Sequence, residues 1–323
     1  MFRHQPLILL LSTALLMGCL QRPPVPPAKY KPPAESTVNE PTMAEMCSPS
    51  AGAEYGLLKR VVVVGFGLSD PAQANDLNEI EQRYPSQLTK LLDDEGRFVL
   101  TERGHTILVP AALDLMGNYS RTAAEQARQV AEEQGAQFVI SGRFLDLSST
   151  YYDNLIDTAR KWPVRQLVVE IEVFDGYSGS LITRHLYRDR VKGRIDMKQI
   201  TPFDGRFNES EYGQAVAHML KLQVRDIVND LACMPMQARI LKLDGNTVYI
   251  DAGANVLLRP NDELKIFRKR IAAHDLHDKM VAEEIPYGTL TIKRLFPNSS
   301  IGTLKLKRGR AEDLRPGDIV RAW

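Results

Sequence analysis

The hydrophobic pattern of this chain changes at Pro235. Before that residue, strand-like segments alternate with helix-like segments, and the last helical stripe runs up to Cys233. After it, helical periodicity is absent and short strand-like runs follow one another closely. Alternating strands and helices build an α/β layer, whereas short strands at close spacing suit a small closed barrel. We therefore predict an α/β fold with two domains, an α/β domain over 55–235 and a β-barrel over 236–323.

The α/β domain is predicted to open with a strand that is buried on both faces. Four consecutive valines lie within Arg60–Phe66, and a continuous β-branched run is typical of a central strand. The clearest helix is Thr122–Gln134, in which Thr122 and Glu125 match a capping box and Gly135 supplies a left-handed stop. The further strands predicted here are Arg97–Thr101, Gln137–Leu147 and the hairpin pair Gln166–Phe174 and Leu181–Arg190.

Two more helices are predicted in the same domain. One spans Pro85–Leu92 and takes the proline as its first residue, where the missing N–H has no helical partner to lose. The other spans Asn208–Leu231, with Glu211 completing a capping box, and it ends at Cys233 and Pro235. Its apolar stripe suits a face that packs on a core, and we prefer this to a partner-binding surface.

About six short strands are predicted after Pro235. A weak internal sequence repeat supports them: Leu258–Leu264 resembles Leu314–Val320, and each stretch would form a turn that leads into a strand. Residues 270–284 are polar and are predicted to form a loop. The predicted strands are Arg239–Leu243, Val248–Asp251, Leu264–Phe267, Gly288–Leu295, Ile301–Leu306 and Asp318–Arg321.

The amino terminus has the features of a lipoprotein signal peptide, residues 1–18. Arg3 precedes an apolar run, Leu7–Met17, that is too short to span about 30 Å of hydrocarbon. Cys19 follows at the lipobox position, so we expect cleavage before Cys19 and acylation of its thiol. Leu20 stands where an aspartate would signal retention in the inner membrane. The sequence predicts a lipid anchor at the periplasmic face of the outer membrane; an ordinary secretory signal with a chance cysteine is the alternative.

Residues 19–54 are predicted to form a lipid-bearing tether. Seven prolines lie between residues 21 and 46, and large apolar residues are few, so the segment cannot bury enough surface to fold. In an extended proline-rich conformation it would reach on the order of 80 Å. The folded part of the chain could then work well away from the membrane surface.

Cys47 and Cys233 are the cysteines that remain once Cys19 carries lipid. Free thiols tend to become oxidised in the periplasm, so we predict a disulfide between them. Two unrelated thiols are the alternative. The bond would close a long loop, for which the chain-entropy model gives roughly 4 to 5 kcal/mol. It would fix the end of the tether to the folded body.

Charge and local motifs give no sign of nucleic-acid binding or catalysis. Without Arg3 the chain has 40 basic and 40 acidic residues, so we do not expect a nucleic-acid partner. Gly65 and Gly67 offer half of a dinucleotide fingerprint, but no third glycine follows at its position. The sequence therefore predicts no enzyme activity and no cofactor.

Two clusters of polar residues are also interpreted as solvated surface. His274 and His277 could bind a metal, yet no cysteine or third spaced histidine accompanies them. The carboxylates of Asp93–Glu95 close a helix before a glycine turn and suit a solvated corner. We therefore expect no metal site.

One stretch resembles a known family. Pro202–Phe207 and Glu211–Ala215, followed by Cys233 and Pro235, resemble the middle domain of flagellar assembly protein T. In that family a helix of this kind passes into an SH3-like barrel, and its middle domain is similar to the amino-terminal domain of the Tol-system translocation protein. The family builds the periplasmic ring around the outer part of the flagellar basal body. This chain departs from it by a lipobox and by an interval before the first strand that is too short for the family's extra amino-terminal domain.

Two functions follow from these resemblances. The favoured one is a structural component of the basal-body ring, the H ring, with other flagellar ring proteins and basal-body components as partners and with copies of the chain forming the ring. The alternative is an outer-membrane lipoprotein that activates a peptidoglycan synthase, because such activators also join a proline-rich tether to a Tol-like α/β domain. The barrel favours the ring, since those activators generally end after the α/β domain.

Overall fold

Val61–Val64 lie in an interior strand of a six-stranded mixed sheet and are buried on both faces, as their sequence predicts. The computed structural model describes residues 56–109, 121–151, 163–192, 201–274, 280–307 and 313–322. Each of the four valines is at most 1% exposed, because helices cover both faces of their strand. The strands of the sheet are β1 (Lys59–Leu68), β2 (Phe98–Ile107), β3 (Phe138–Asp146), β4 (Ser149–Tyr151), β5 (Pro163–Asp175) and β6 (Leu181–Lys192).

The sheet combines a parallel part with an antiparallel part. β1 pairs in parallel with β2 on one side and with β3 on the other. β5 is antiparallel to both β3 and β6, and the short β4 continues beyond β3 along the same edge of β5. The predicted hairpin of β5 and β6 is confirmed, and Asp175 closes its turn by accepting the backbone N–H of Ser178 at 2.7 Å.

Four helices of the described residues pack on this sheet. α1 and α4 cover one face and bury the larger core, in which the rings of Phe66, Tyr84 and Phe144 contact one another. α2 covers part of the opposite face, over Val64 and Phe174. The helices are α1 (Ile80–Asp94), α2 (Ala123–Gln134), α3 (Gly205–Glu209) and α4 (Glu211–Ala232), and a short 3₁₀ turn spans Pro71–Ala74.

The predicted ends of α2 are confirmed. The Thr122 hydroxyl accepts the N–H of Glu125 at 3.2 Å, while the Glu125 carboxylate accepts the N–H of Thr122 at 2.8 Å. Gly135 ends the helix in the left-handed conformation, with a φ of 60°. Both ends were predictable because a cap is a local interaction among a few neighbouring residues.

The predicted starts of the other two long helices were wrong. α1 begins at Ile80, so Pro85 lies inside the helix, because the buried stripe of Ile80, Tyr84 and Leu88 begins before the proline. α4 is capped by Ser210, whose hydroxyl accepts the N–H of Gly213 at 3.0 Å. Asn208, the predicted cap, instead lies within the short helix α3. In both helices the packing contacts outweigh the local start signal.

The second region forms a closed antiparallel barrel of six strands, as predicted. Its strand order is β10-β11-β8-β7-β12-β9, with β9 returning to β10. A separate hydrophobic core fills it, to which Val248, Ile250, Leu264, Ile266 and Leu290 contribute fully buried side chains. The strands are β7 (Met236–Asp244), β8 (Thr247–Ile250), β9 (Glu263–His274), β10 (Met280–Leu295), β11 (Ser300–Leu306) and β12 (Ile319–Ala322).

The loop predicted over 270–284 was wrong at both ends. β9 continues to His274 and β10 begins at Met280, and these two residues pair across the hairpin. Polar residues do not exclude antiparallel strands, because such strands can face water and backbone groups make their pairing. Polarity alone therefore misidentified the extension as a loop.

The internal sequence repeat, Leu258–Leu264 and Leu314–Val320, corresponds to two turns with the same hydrogen-bond pattern. The Asp262 carboxylate accepts the N–H of Arg259 at 2.7 Å, and the Asp318 carboxylate accepts the N–H of Arg315 at 2.8 Å. The residue before each aspartate is in the left-handed conformation, Asn261 with a φ of 73° and Gly317 with a φ of 95°. Each turn leads directly into a barrel strand, as the sequence predicts.

A buried polar pair in the larger core gives a test of its packing. The Tyr84 hydroxyl donates to the Gln223 side-chain oxygen at 2.9 Å, and both side chains are fully buried. Tyr84→Phe should lower the free energy of unfolding by about 1 to 2 kcal/mol, because it leaves a buried acceptor unsatisfied. The double variant Tyr84→Phe/Gln223→Leu should recover part of this loss, measured by urea denaturation. A double variant less stable than the sum of both single changes would contradict this account.

Candidate functional site: the joint between the sheet and the barrel

The sheet and the barrel meet along a packed interface. α4 ends at Cys233, and β7 of the barrel begins three residues later. Leu57 and Leu58, which lead into β1, pack against the barrel core, and Val99 of β2 joins them. The N–H of Leu58 donates to the carbonyl of Val256 at 3.2 Å. The barrel core therefore extends onto the sheet domain.

Arg60 is the central residue of this interface. Its guanidinium donates to the Asp251 carbonyl at 2.6 Å and to the Asp251 carboxylate at 3.1 Å. It also donates to the Tyr177 hydroxyl and to the Gln237 carbonyl, both at 3.3 Å. Burial alone would lower the pKa of Arg60, but the neighbouring Asp251 and Tyr177 raise it above its usual value. The cation is held in place by four contacts, from Gln237 of β7, from Asp251 just after β8 and from the turn that carries Tyr177.

The carboxylate of Asp251 is fixed from both sides. It faces Arg60 across the interface and also accepts the backbone N–H of Arg239 at 2.6 Å. The Arg239 guanidinium lies over the ring of Tyr177, 4.7 Å from its centroid. Burial raises the pKa of Tyr177, so its hydroxyl remains a hydrogen-bond donor, and it donates to the Gln237 carbonyl at 3.1 Å.

Two glutamines complete the interface from opposite sides. The Gln137 side chain is fully buried, donates to the carbonyl of Pro235 at 2.7 Å and accepts the N–H of Gln237 at 3.1 Å. The side-chain amide of Gln137 thus makes the two hydrogen bonds that a neighbouring strand would make with the backbone at the start of the barrel. Arg60, Gln137, Tyr177, Gln237 and Asp251 are called the joint below. The hydrogen bonds of the joint form in this one geometry and so favour this orientation of the barrel on the sheet.

Lys59 and Cys233 lie beside the joint at the end of α4. The Lys59 ammonium donates to the carbonyl of Ala232 at 3.3 Å, and burial together with nearby Arg97 lowers its pKa to about 8. Cys233 is the capping residue of the helix. Cys19 and Cys47 lie outside the described residues, so the pairing of Cys233 with Cys47 stays a prediction.

The glycine motif, the histidines and the carboxylate cluster of the sequence analysis lie in surroundings that explain them by structure. A side chain at Gly65 would lie 2.2 Å from the carbonyl oxygen of Gly104, so the glycine permits close approach of β1 and β2 rather than of a phosphate. His274 ends β9, and His277 lies outside the described residues. Asp93 and Asp94 are exposed at the end of α1. No group of three His, Cys, Asp or Glu residues within the described ranges is arranged to hold a metal ion.

None of the described helices has the length and apolar character needed to span a bilayer.

The polar groups of the joint serve the packing of a sheet domain on a small barrel. Residues 50–202 match the family model of the flagellar assembly protein T middle domain. The match supports the flagellar assembly protein T family for this part of the chain. The match ends at Pro202, where the stretch that carried the sequence resemblance begins, and the barrel lies outside it.

Solved structures of low identity also resemble part of the chain. The hypothetical protein CT253 from Chlamydia trachomatis is 14% identical, with 55% of this chain and 98% of that chain covered and a TM-score of 0.38. Lipoprotein GNA1162 from Neisseria meningitidis is 12% identical, with 53% and 99% covered and a TM-score of 0.31. The LpoB C-terminal domain from Escherichia coli is 15% identical, with 46% and 95% covered and a TM-score of 0.22. No curated protein sequence matches the chain.

The ion pair of the joint predicts a measurable cost when it is broken. Arg60→Met keeps the aliphatic stem but leaves the Asp251 carboxylate without its counter-charge, and the two side chains are only 11% and 19% exposed. We expect the free energy of unfolding to fall by about 2 to 3 kcal/mol, measured by urea denaturation. Arg83→Met is the control, because Arg83 pairs with Glu79 where both side chains are exposed, and it should cost below about 1 kcal/mol. Equal losses in the two variants would contradict a special role for the joint.

The disulfide is tested by peptide mapping of the mature protein under non-reducing conditions. We expect one cross-linked peptide that joins Cys47 to Cys233, because these thiols remain after lipidation of Cys19. Reduction should separate the two halves without changing the rest of the map. Recovery of Cys47 and Cys233 as free thiols would disprove the pairing.

Proposed function

We propose that this chain is a structural component of the ring around the flagellar basal body, in the periplasm and at the outer membrane, and that flagellar assembly or motor function needs it. The observation that carries the proposal is the match of residues 50–202 to the flagellar assembly protein T middle domain. The family is a structural flagellar one. In this proposal the partners are other ring proteins and basal-body components, and nucleic acid is not among them.

The proposed location depends on the amino terminus. Lipid at Cys19 would hold the chain at the periplasmic face of the outer membrane, and residues 19–54 would tether the folded part to it. Each buried methylene of an acyl chain contributes about 0.8 kcal/mol, so several chains hold firmly where one holds marginally. The proposed disulfide of Cys47 with Cys233 would bring the end of this tether to the joint.

The joint supports a ring function through its rigidity. In this proposal the domain over 55–235 and the barrel over 236–323 are two binding bodies with one fixed mutual orientation. A ring repeats one contact geometry in every subunit, so a small angular error would accumulate around the circle. Polar groups that are satisfied in one arrangement exclude such errors better than apolar contacts that can slide. The Arg60–Asp251 pair is therefore the feature of the fold that best suits assembly.

Deletion of the gene tests the proposal. We expect weakened or absent swimming and the loss of a disc from purified basal bodies, with cell shape and sensitivity to wall-targeting antibiotics unchanged. Cryo-tomography of flagellar motors is the most informative measurement, because it shows the missing density in place. Complementation with the wild-type gene should restore both swimming and the disc, whereas Cys19→Ala should restore them poorly because the subunit is not held at the membrane.

The same strains distinguish the alternative function. Normal swimming and normal rings in the deletion strain, together with lysis or antibiotic hypersensitivity, would favour an activator of a peptidoglycan synthase. Full complementation by Cys19→Ala, with unchanged fractionation of the protein, would contradict the lipid anchor but not the ring.

A further inference from the structure

A row of outward-facing side chains crosses four neighbouring strands of the barrel. Lys242 of β7 pairs with Tyr249 of β8, Tyr249 pairs with Ile301 of β11, and Ile301 pairs with Arg294 of β10. The neighbours of Tyr249 along β8, Val248 and Ile250, are fully buried, so Tyr249 points outward. Leu241, Lys242, Tyr249, Ile301, Arg294 and Phe296 are called the barrel strip below.

The barrel strip combines exposed apolar surface with two cations. Leu241 is 52% exposed and Phe296 is 41% exposed, and both belong to the few large apolar residues of the described chain that remain in solvent. The Lys242 ammonium lies 5.7 Å from the centroid of the Tyr249 ring, and the Arg294 guanidinium lies 5.6 Å from that of Phe296. Among the described residues neither cation forms an ion pair with a carboxylate. Exposed aromatic and aliphatic surface next to unpaired cations is the composition of a protein-binding surface with an acidic partner.

The net charges of the two domains indicate that the acidic partner is the sheet domain of a second copy of the chain. Residues 236–323 contain 16 lysines and arginines against 11 aspartates and glutamates, a formal charge of +5. Residues 55–235 contain 21 against 25, a formal charge of −4. The barrel of one copy and the sheet domain of another are therefore electrostatically complementary.

The barrel strip cannot serve as a symmetric dimer contact. In a two-fold contact the same surface meets itself, so Lys242 and Arg294 of one copy would face the same cations of the other. Like charges opposed across strands are destabilising. A contact that joins the strip to a different surface of the next copy avoids this repulsion. Such head-to-tail contacts form rings when the rotation between copies closes.

We propose that the barrel strip docks on the acidic sheet domain of a second copy of this chain and that this head-to-tail contact joins neighbouring subunits. The inference rests on the proposed ring function. It adds the surface through which subunits contact each other and the head-to-tail direction in which they follow one another. Its strength depends on salt, because opposite charges at the rim of an interface are screened at high ionic strength.

The test uses the lipidated mature protein in a density-matched non-ionic detergent, followed by sedimentation velocity. Wild-type protein should form oligomers that dissociate as salt is raised. The variant Lys242→Glu/Arg294→Glu should sediment as a monomer by itself, with at least a tenfold weaker self-association. It should still bind one wild-type copy, because its own sheet domain can accept the wild-type strip. Added in substoichiometric amounts, it should therefore shorten wild-type oligomers.

A matched control changes the same charge elsewhere on the barrel. Lys305→Glu/Lys307→Glu lies on exposed positions outside the strip and should oligomerise like wild type. Circular dichroism should show all variants folded. Oligomers of the strip variant equal to those of wild type would overturn the proposal. So would loss of assembly in the control, or failure of the strip variant to bind wild-type protein.

Two further outcomes separate this inference from the proposed function. A wild-type protein that remains monomeric at every concentration would overturn the head-to-tail contact, while loss of swimming and of a disc in the deletion strain would still support the ring function. If the strip variant alone abolished the disc in cells while purified wild-type protein stayed monomeric, the surface would bind another ring protein instead of a second copy, and the proposal would fail.

Discussion

The fixed orientation of the sheet domain and the barrel depends on the ion pair between Arg60 and Asp251. Arg60 belongs to β1, an interior strand of the sheet, and Asp251 directly follows a barrel strand, so the contact connects the two domains. A nearly buried ion pair adds little net stability compared with apolar packing, but breaking it is costly because one charge is left without a partner. The pair therefore selects one orientation of the barrel more than it stabilises either domain.

Most of the fold could be predicted because its signals are local. The valines of β1, the capping box of Thr122 and the left-handed Gly135 each depend on residues close in sequence. The repeated turns ending in Asp262 and Asp318 were visible for the same reason, since each carboxylate accepts an N–H only three residues away. A short-range interaction leaves a recognisable pattern of residue types, and that pattern identified the α/β sheet and the closed barrel.

The errors share a different cause. α1 begins before Pro85 because its stripe packs on β1 and β2, and local start rules do not include that contact. The extension of β9 and β10 is stabilised by pairing between strands, which polarity does not report. The joint was missed for the same reason, because Gln137 and Gln237 meet across a hundred residues of sequence. One signal was available: a glutamine beside a run of buried strand residues needs a polar partner inside the protein.

The order of strands in the barrel has a consequence for timing. β12 closes the barrel by pairing Ile319 with Arg239 of β7 on one side and with Phe267 of β9 on the other. Pairings between residues so distant in sequence form slowly, because loop-closure entropy opposes them before any contact compensates. The sheet also depends on a long-range pairing, that of Val61 with Phe138. The barrel strand that carries Gln237 gains its second neighbour only when β12 pairs with it, so we expect the joint to form late in folding.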